Sequence, residues 1–259
     1  MRAISIAKFE KDITNEDAAI ANDKVIAVSD GAGGGGVFAE IWSKYLVEHL
    51  PLEPIKDYES FDKWVDDIWE PFYNDCEEKA KVIGGMFLNK FYDEGSFATL
   101  VAVWKDGDWI AYGDSVAFCY NVKTGILQHS YTELVDFNNP PYLVNWKNPL
   151  NPEGFRSGKF EVDDDCVVFA ASDTLAHYIL MMYEIANNNG FDKELREAVD
   201  AQTKNSNFIK TCMSQRKIDF EDVLKKLLLC KNVGNYKKHL ESLKKKGLIG
   251  HDDYTIAIM

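Results

Sequence analysis

A chain of 259 residues, 46% hydrophobic and 27% charged, can bury a large core and has the balance of a globular protein rather than a disordered or fibrous one. Its net charge of −13 argues against a surface built to neutralise nucleic-acid phosphates or an anionic membrane, and suits metal cations better. The five cysteines, Cys76, Cys119, Cys166, Cys212 and Cys230, are scattered, odd in number and without a CxxC spacing, which argues against a disulfide framework or a zinc site.

The first residues show no basic segment followed by an apolar run, and no window approaches the roughly 18 apolar residues of a membrane helix. A cytoplasmic location and a single domain over residues 1–259 are therefore expected.

In chain order, Ala3 to Ala7 reads as a short strand, and Lys24 to Ser29 as a second that stops at the glycine-rich Asp30-Gly31-Ala32-Gly33-Gly34-Gly35-Gly36. Val37, Ile41, Tyr45, Leu46 and Leu50 then recur at helical steps up to Pro51. A second helical stretch spans much of Phe61 to Asn89, with interruptions expected near Pro71 and at Gly84-Gly85. Phe97 to Trp104, Asp108 to Tyr112 and Val116 to Val122 are apolar runs with short joints, which predicts an antiparallel meander.

Gln128 to Gly158 is polar, rich in Asn and Pro, and reads as irregular connection. Cys166 to Ala171 is a buried strand ending in Ser172-Asp173, followed by a helix over about Thr174 to Asn187. Several helical segments fill Phe191 to Lys246, with breaks around Asn205 to Asn207 and Asn232 to Gly234, and the closing Lys244-Lys245-Lys246 reads as a solvated helix end. Tyr254 to Met259 is a last strand.

Several acids sit at the mouths of these strands: Asp30 after one, Asp173 after another, Asp114 at a joint and Asp252 before the last, with Glu16 and Asp17 between the first two. In an antiparallel sheet the end of one strand and the start of its neighbour share an edge, so these carboxylates can converge. Like charges gathered in this way call for a cation, and an all-oxygen ligand set selects Mg²⁺ or Mn²⁺. Two such ions would polarise a phosphoryl group and activate a water, which predicts hydrolysis at phosphorus. The glycine run lacks the Lys-Ser/Thr of a P-loop, and Asp30 before it would repel a pyrophosphate.

Asn15-Glu16-Asp17-Ala18, Val28-Ser29-Asp30-Gly31-Ala32-Gly33-Gly34, Gly95-Ser96-Phe97-Ala98-Thr99, Gly113-Asp114-Ser115, Ala171-Ser172-Asp173 and Asp252-Asp253-Tyr254-Thr255 follow one another over nearly the whole chain. In kind and order they resemble the motifs of the metal-dependent protein phosphatase family (PPM, type 2C), particularly its bacterial members. The resemblance implies an α+β fold, a four-layer α-β-β-α sandwich of two antiparallel sheets flanked by helices. It also implies two bound Mg²⁺ or Mn²⁺ ions, with Asp30 bridging them, the Gly31 carbonyl on one, Asp173 and Asp252 on the other, and Asp114 at a third, weaker site. Glu16 and Asp17 would hold waters or orient the substrate, a phosphorylated serine or threonine of a protein, and attack would come directly from the activated water.

Where many members carry a phosphate-gripping arginine, this chain has Asp12 with Lys11 beside it, which leaves Lys11 as the phosphate-binding candidate. The glycine loop has Ala32 where some members have a histidine, and none of the five histidines matches a catalytic position. His251, beside Asp252, reads either as an ordinary loop residue or as a partner of the site. Two alternatives stay open: a non-catalytic pseudophosphatase acting as a binding module, and, more distantly, a nucleotide-binding enzyme.

Overall fold

In β3 (Val25–Ser29) the side chains alternate between two buried surroundings, Val25 and Ala27 on one side, Ile26 and Val28 on the other, so the strand needs cover on both faces. The computed structural model describes residues 1–187, 192–201, 205–215, 218–230 and 232–259, and supplies that cover with four layers, helices on either side of two stacked sheets. One five-stranded sheet has the order β1 (Arg2–Ile6), β12 (Tyr254–Ile258), β11 (Cys166–Ala171), β7 (Val116–Asn121), β8 (Leu127–His129). The other runs β10 (Phe155–Lys159), β6 (Asp108–Tyr112), β5 (Leu100–Trp104), β3, β2 (Ala18–Ala21). A short pair, β4 (Phe97–Ala98) with β9 (Val144–Asn145), closes one end. The pairings are antiparallel.

Between the sheets lie small and β-branched residues, Val101, Val103, Ala111, Ala117, Val168, Ala170 and Ala257 among them, which let the two layers approach closely. Outside the β3 sheet pack α1 (Ala39–Glu48), α2 (Tyr58–Ile83) and α3 (Gly85–Glu94), with Trp42, Leu46, Phe61, Phe72 and Phe91 turned inward. Outside the β11 sheet pack α4 (Asp173–Asn187), α5 (Asp192–Asp200), α6 (Ser206–Met213), α7 (Phe220–Leu228) and α8 (Val233–Lys245). The expected α+β four-layer sandwich is thus the observed architecture. Among the described residues no helix is long and apolar enough to cross a membrane.

Three expectations need correction. The run from Phe97 to Val122 is not one meander: β5 and β6 are a hairpin, but Gly113-Asp114-Ser115 carries the chain across the sandwich, so β7 pairs with β11 and β8. Pro71 does not interrupt its helix; α2 runs through it with the proline exposed, where water can serve the carbonyl one turn back, and the break falls only at Gly84-Gly85. Gln128 to Gly158 is not all irregular, since β10 adds an edge strand to β6. The expected breaks around Asn205 to Asn207 and Asn232 to Gly234 fall at the starts of α6 and α8, the second capped by the Asn232 side chain, and a further break separates α6 from α7. Phe191, where the helical region was expected to begin, lies outside the described residues.

Candidate metal centre

Strand register decides where the acids fall. In one sheet Ala18 pairs with Ser29, Val28 with Val101 and Leu100 with Tyr112, so the start of β2, the end of β3 and the end of β6 share an edge. In the other, Ala171 pairs with both Val116 and Ile256, which puts the end of β11 and the starts of β7 and β12 together. Asp17, Asp30, Asp114, Asp173 and Asp252 are the residues immediately beyond or near these ends, and they meet at one rim of the sandwich.

The electrostatics report the convergence. The Asp30 carboxyl is pushed well above the usual range, first by burial and then by the charges of Asp17, Asp173, Asp114 and Asp252. Asp17 is pushed up to about 8, mostly by burial, with Asp253 and Asp173 adding to it and the hydroxyls of Thr255 and Ser172 opposing it. Burial also raises Glu16 and Asp252; the Lys8 ammonium opposes both shifts.

The backbone at Asp30 is fixed from both sides. Its amide donates to Thr99 Oγ1 at 3.2 Å and its carbonyl accepts from the Thr99 amide at 2.8 Å, while Thr99 Oγ1 lies 2.7 Å from Ser115 Oγ. Gly31 donates to the Glu16 carbonyl, and a Cβ there would stand 2.5 Å from that oxygen and 2.8 Å from the Ala39 carbonyl. Only glycine fits this crossing of three segments, whatever its dihedral angles.

The donor set suits a hard cation. Both carboxylate oxygens of Asp17 are buried, and the Thr255 and Ser172 hydroxyls beside them complete no hydrogen bond of good geometry, an arrangement that is costly for an anion in the absence of a positive charge. Among the described residues no three Asp, Glu, His or Cys side chains close around a single point. A ring of separated carboxylates is still compatible with Mg²⁺-like ions, which take one or two carboxylates and keep several waters.

Lys11 is not brought to this rim. Its side chain is 92% exposed and, among the described residues, pairs only with Asp12, 3.8 Å away, on a turn that swings outward with Asp12 at φ 56°. A cation that does reach the rim is Lys8, whose Nζ is 4.0 Å from Glu16 and 3.9 Å from Asp252. Asp253 is a further residue whose part in the site the sequence pattern alone does not mark. It is 3% exposed, and its two oxygens accept from the amides of Lys8 at 2.8 Å and Glu16 at 2.7 Å, which ties the β1–β2 segment to the start of β12. His251 joins two side chains beside the site: Lys244 Nζ can only donate, so His251 Nδ1 accepts from it and Nε2 donates to Glu10.

Two hollows flank the rim. One, of about 300 Å³, runs from Asp173, Thr174, His251 and Asp252 to the rings of Phe137 and Phe208. The other, of about 220 Å³, lies beside Asp114 and is lined by Tyr131 and Arg156 among others; the Arg156 guanidinium donates to the Gly113 carbonyl.

A four-layer sandwich of this order is the fold of the PPM-type serine/threonine phosphatases. The catalytic domain of the serine/threonine protein phosphatase PstP, in complex with two manganese ions, matches with a TM-score of 0.52 at 16% identity, over 99% of this chain and 95% of that one. PstP/Ppp of Mycobacterium tuberculosis matches at 0.51 and 15%, over 99% and 96%. The PPM Ser-Thr phosphatase MsPP of Mycobacterium smegmatis, in complex with cacodylate, matches at 0.50 and 13%, over 99% and 96%. No family model matches the chain, and no curated protein matches it.

Proposed function

We propose that this chain is a bacterial-type member of the PPM family, one catalytic domain over residues 1–259, which hydrolyses phosphomonoesters on serine or threonine side chains of proteins with the help of Mg²⁺ or Mn²⁺. The observation that carries this reading is the meeting of five aspartates from separate parts of the chain at one sandwich rim, felt most strongly at Asp30. In this reading Asp30, the Gly31 carbonyl, Asp173 and Asp252 hold two ions, and Asp114 contributes to a third position. Such ions supply the positive charge that polarises a phosphoryl group and acidifies a water.

The chain's own groups do the rest. Thr99 and Ser115 hold Asp30 in place, and Asp253 holds the backbone of Glu16, so the ligand geometry is set before a substrate arrives. In this reading Asp17 and Glu16, ionised once the cations are present, would orient an attacking water and accept its proton. Lys8 offers an ammonium to a phosphate dianion in place of the missing arginine.

The test is Mn²⁺-dependent hydrolysis of p-nitrophenyl phosphate and of a phosphothreonine peptide. Asp30→Asn is expected to lower turnover at least about a hundredfold while leaving the fold intact by circular dichroism. One observation favours a second reading, a non-catalytic binding module: Lys8 already neutralises part of the acid ring, and Asp12 stands where an arginine would grip phosphate. Stoichiometric Mn²⁺ binding without turnover on either substrate would select it.

A further inference from the structure

In a chain of net charge −13, α8 and its C-cap carry five lysines, Lys237, Lys238, Lys244, Lys245 and Lys246, against one acid, Glu241. Lysines elsewhere in the fold mostly pair with carboxylates, as Lys63, Lys81, Lys123 and Lys193 do. Among the described residues, no carboxylate pairs with Lys237, Lys238, Lys245 or Lys246. Lys237, Lys238, Lys245 and Lys246 are also exposed. Tyr236, Leu240 and Leu243 bury the opposite side of the helix, so the lysine face is fixed toward solvent.

This face is continuous with the acid rim. The Nζ atoms of Lys237 and Lys244 lie 5.9 and 5.5 Å from the centre of the Phe9 ring, and that ring stacks on Tyr254 at 5.2 Å. Phe9 follows Lys8, which reaches Asp252, and Lys244 is hydrogen-bonded to His251, next to Asp252. Glu10 is the acid within this patch, and the His251 ring engages it. A path of positive charge therefore leads from the proposed reaction site along one helix.

We propose that this path, Lys8, Lys244, Lys237 and then Lys238 and Lys245, docks an acidic stretch of the substrate protein beside its phosphorylated residue; the inference rests on the phosphatase reading above. Two lysine pairs, 237/244 and 238/245, each repeat at seven residues, about 10.5 Å along the helix. That separation matches three residues of a polyproline-II-like segment at about 3.1 Å each, so the favoured sequence carries two acids three residues apart. A −13 chain gains most from a local patch of this kind, because its remaining surface repels acidic partners.

The experiment compares three phosphothreonine peptides, neutral-flanked, with Asp at two positions three apart on the N-terminal side, and with the same pair on the C-terminal side. Each is assayed on the Mn²⁺-loaded chain and on Lys237→Gln/Lys238→Gln/Lys245→Gln, at low and at raised ionic strength. One acidic peptide is expected to exceed the neutral one in kcat/KM by about tenfold, through KM, and the triple variant or salt removes the gain while p-nitrophenyl phosphate hydrolysis is unchanged. Equal efficiency on all three peptides, or a preference that survives the variant, overturns the proposal. So does lysine-dependent binding to phosphatidylserine vesicles without a peptide preference, which would assign the patch to a lipid surface. If no phosphoester is hydrolysed at all, the parent reading fails by itself; fluorescence anisotropy of labelled acidic and neutral phosphopeptides on the metal-free chain then decides the docking separately.

Discussion

Replacing Asp17 by Asn should flatten the pH dependence of stability of the metal-free chain. The Asp17 carboxyl, ordinarily near 3.8, is pushed up to about 8 in the fold, so the folded state holds a proton that the unfolded chain releases across that interval. Its contribution is therefore fully present in acid and is lost as pH rises toward about 8. At about 1.4 kcal/mol per pH unit the ceiling is about 6 kcal/mol; Asp30 competes for the same proton, so about half, roughly 3 kcal/mol, is expected from Asp17. The three units between pH 5 and pH 8 account for about 2 kcal/mol of this, which for a chain of this size is about 4–8 °C of melting temperature. Asn is neutral at every pH and nearly isosteric, so its own fixed cost shifts the whole curve without changing the slope. The assay is thermal unfolding in EDTA at half-unit pH steps, repeated with Mn²⁺. The parent should lose stability with rising pH and recover it with Mn²⁺ at pH 8, because an ion bound only by the fold stabilises it. Parallel pH curves for parent and variant would refute the reasoning, since the unpartnered carboxylate would then carry no unfavourable charge.

Gly31→Ala is expected to cost about 2–3 kcal/mol in urea unfolding, because its Cβ would meet two backbone carbonyls that have no room to move. Lys8→Met should tighten Mn²⁺ binding about fivefold by titration calorimetry, since a competing ammonium is withdrawn from Glu16 and Asp252; weaker binding would show that Lys8 is needed to shape the ring. Asp253→Ala removes the acceptor of two amides and should destabilise by about 2–4 kcal/mol, with hydrogen exchange accelerated first at Lys8 and Glu16.

Much of the sandwich is legible in the sequence because strands buried on both faces read as unbroken apolar runs, as in β3, β5 and β11. The same property hides which sheet a strand joins. β6 and β7 are both apolar and separated by three residues, and nothing in Gly113-Asp114-Ser115 distinguishes a hairpin from a step across the sandwich; partner strands far away in the chain decide it. β2 and β10 escaped notice for the opposite reason. Both are edge strands: β2 is four half-buried residues, three of them alanine, too short and too small-chained to read as a strand, and β10 has Phe155 as its one large apolar residue.

The site divides along a similar line. Acids at strand ends could be picked out because antiparallel pairing brings strand ends together, but Lys8 could not be preferred to Lys11, since their difference is the outward turn at Asp12. The pair Asp252-Asp253 shows what register adds. At the entrance to a strand, successive side chains point to opposite sides. One acid therefore faces the rim, half-exposed beside Lys8, and the next turns inward to bind two amides. The inward acid keeps the loop that carries Glu16 and Asp17 at the edge where Asp30 follows β3 and Asp173, just beyond β11, begins α4. A metal centre built in this way needs its second aspartate as much as its first, because a carboxylate on an untethered loop would retreat into water rather than stay among like charges.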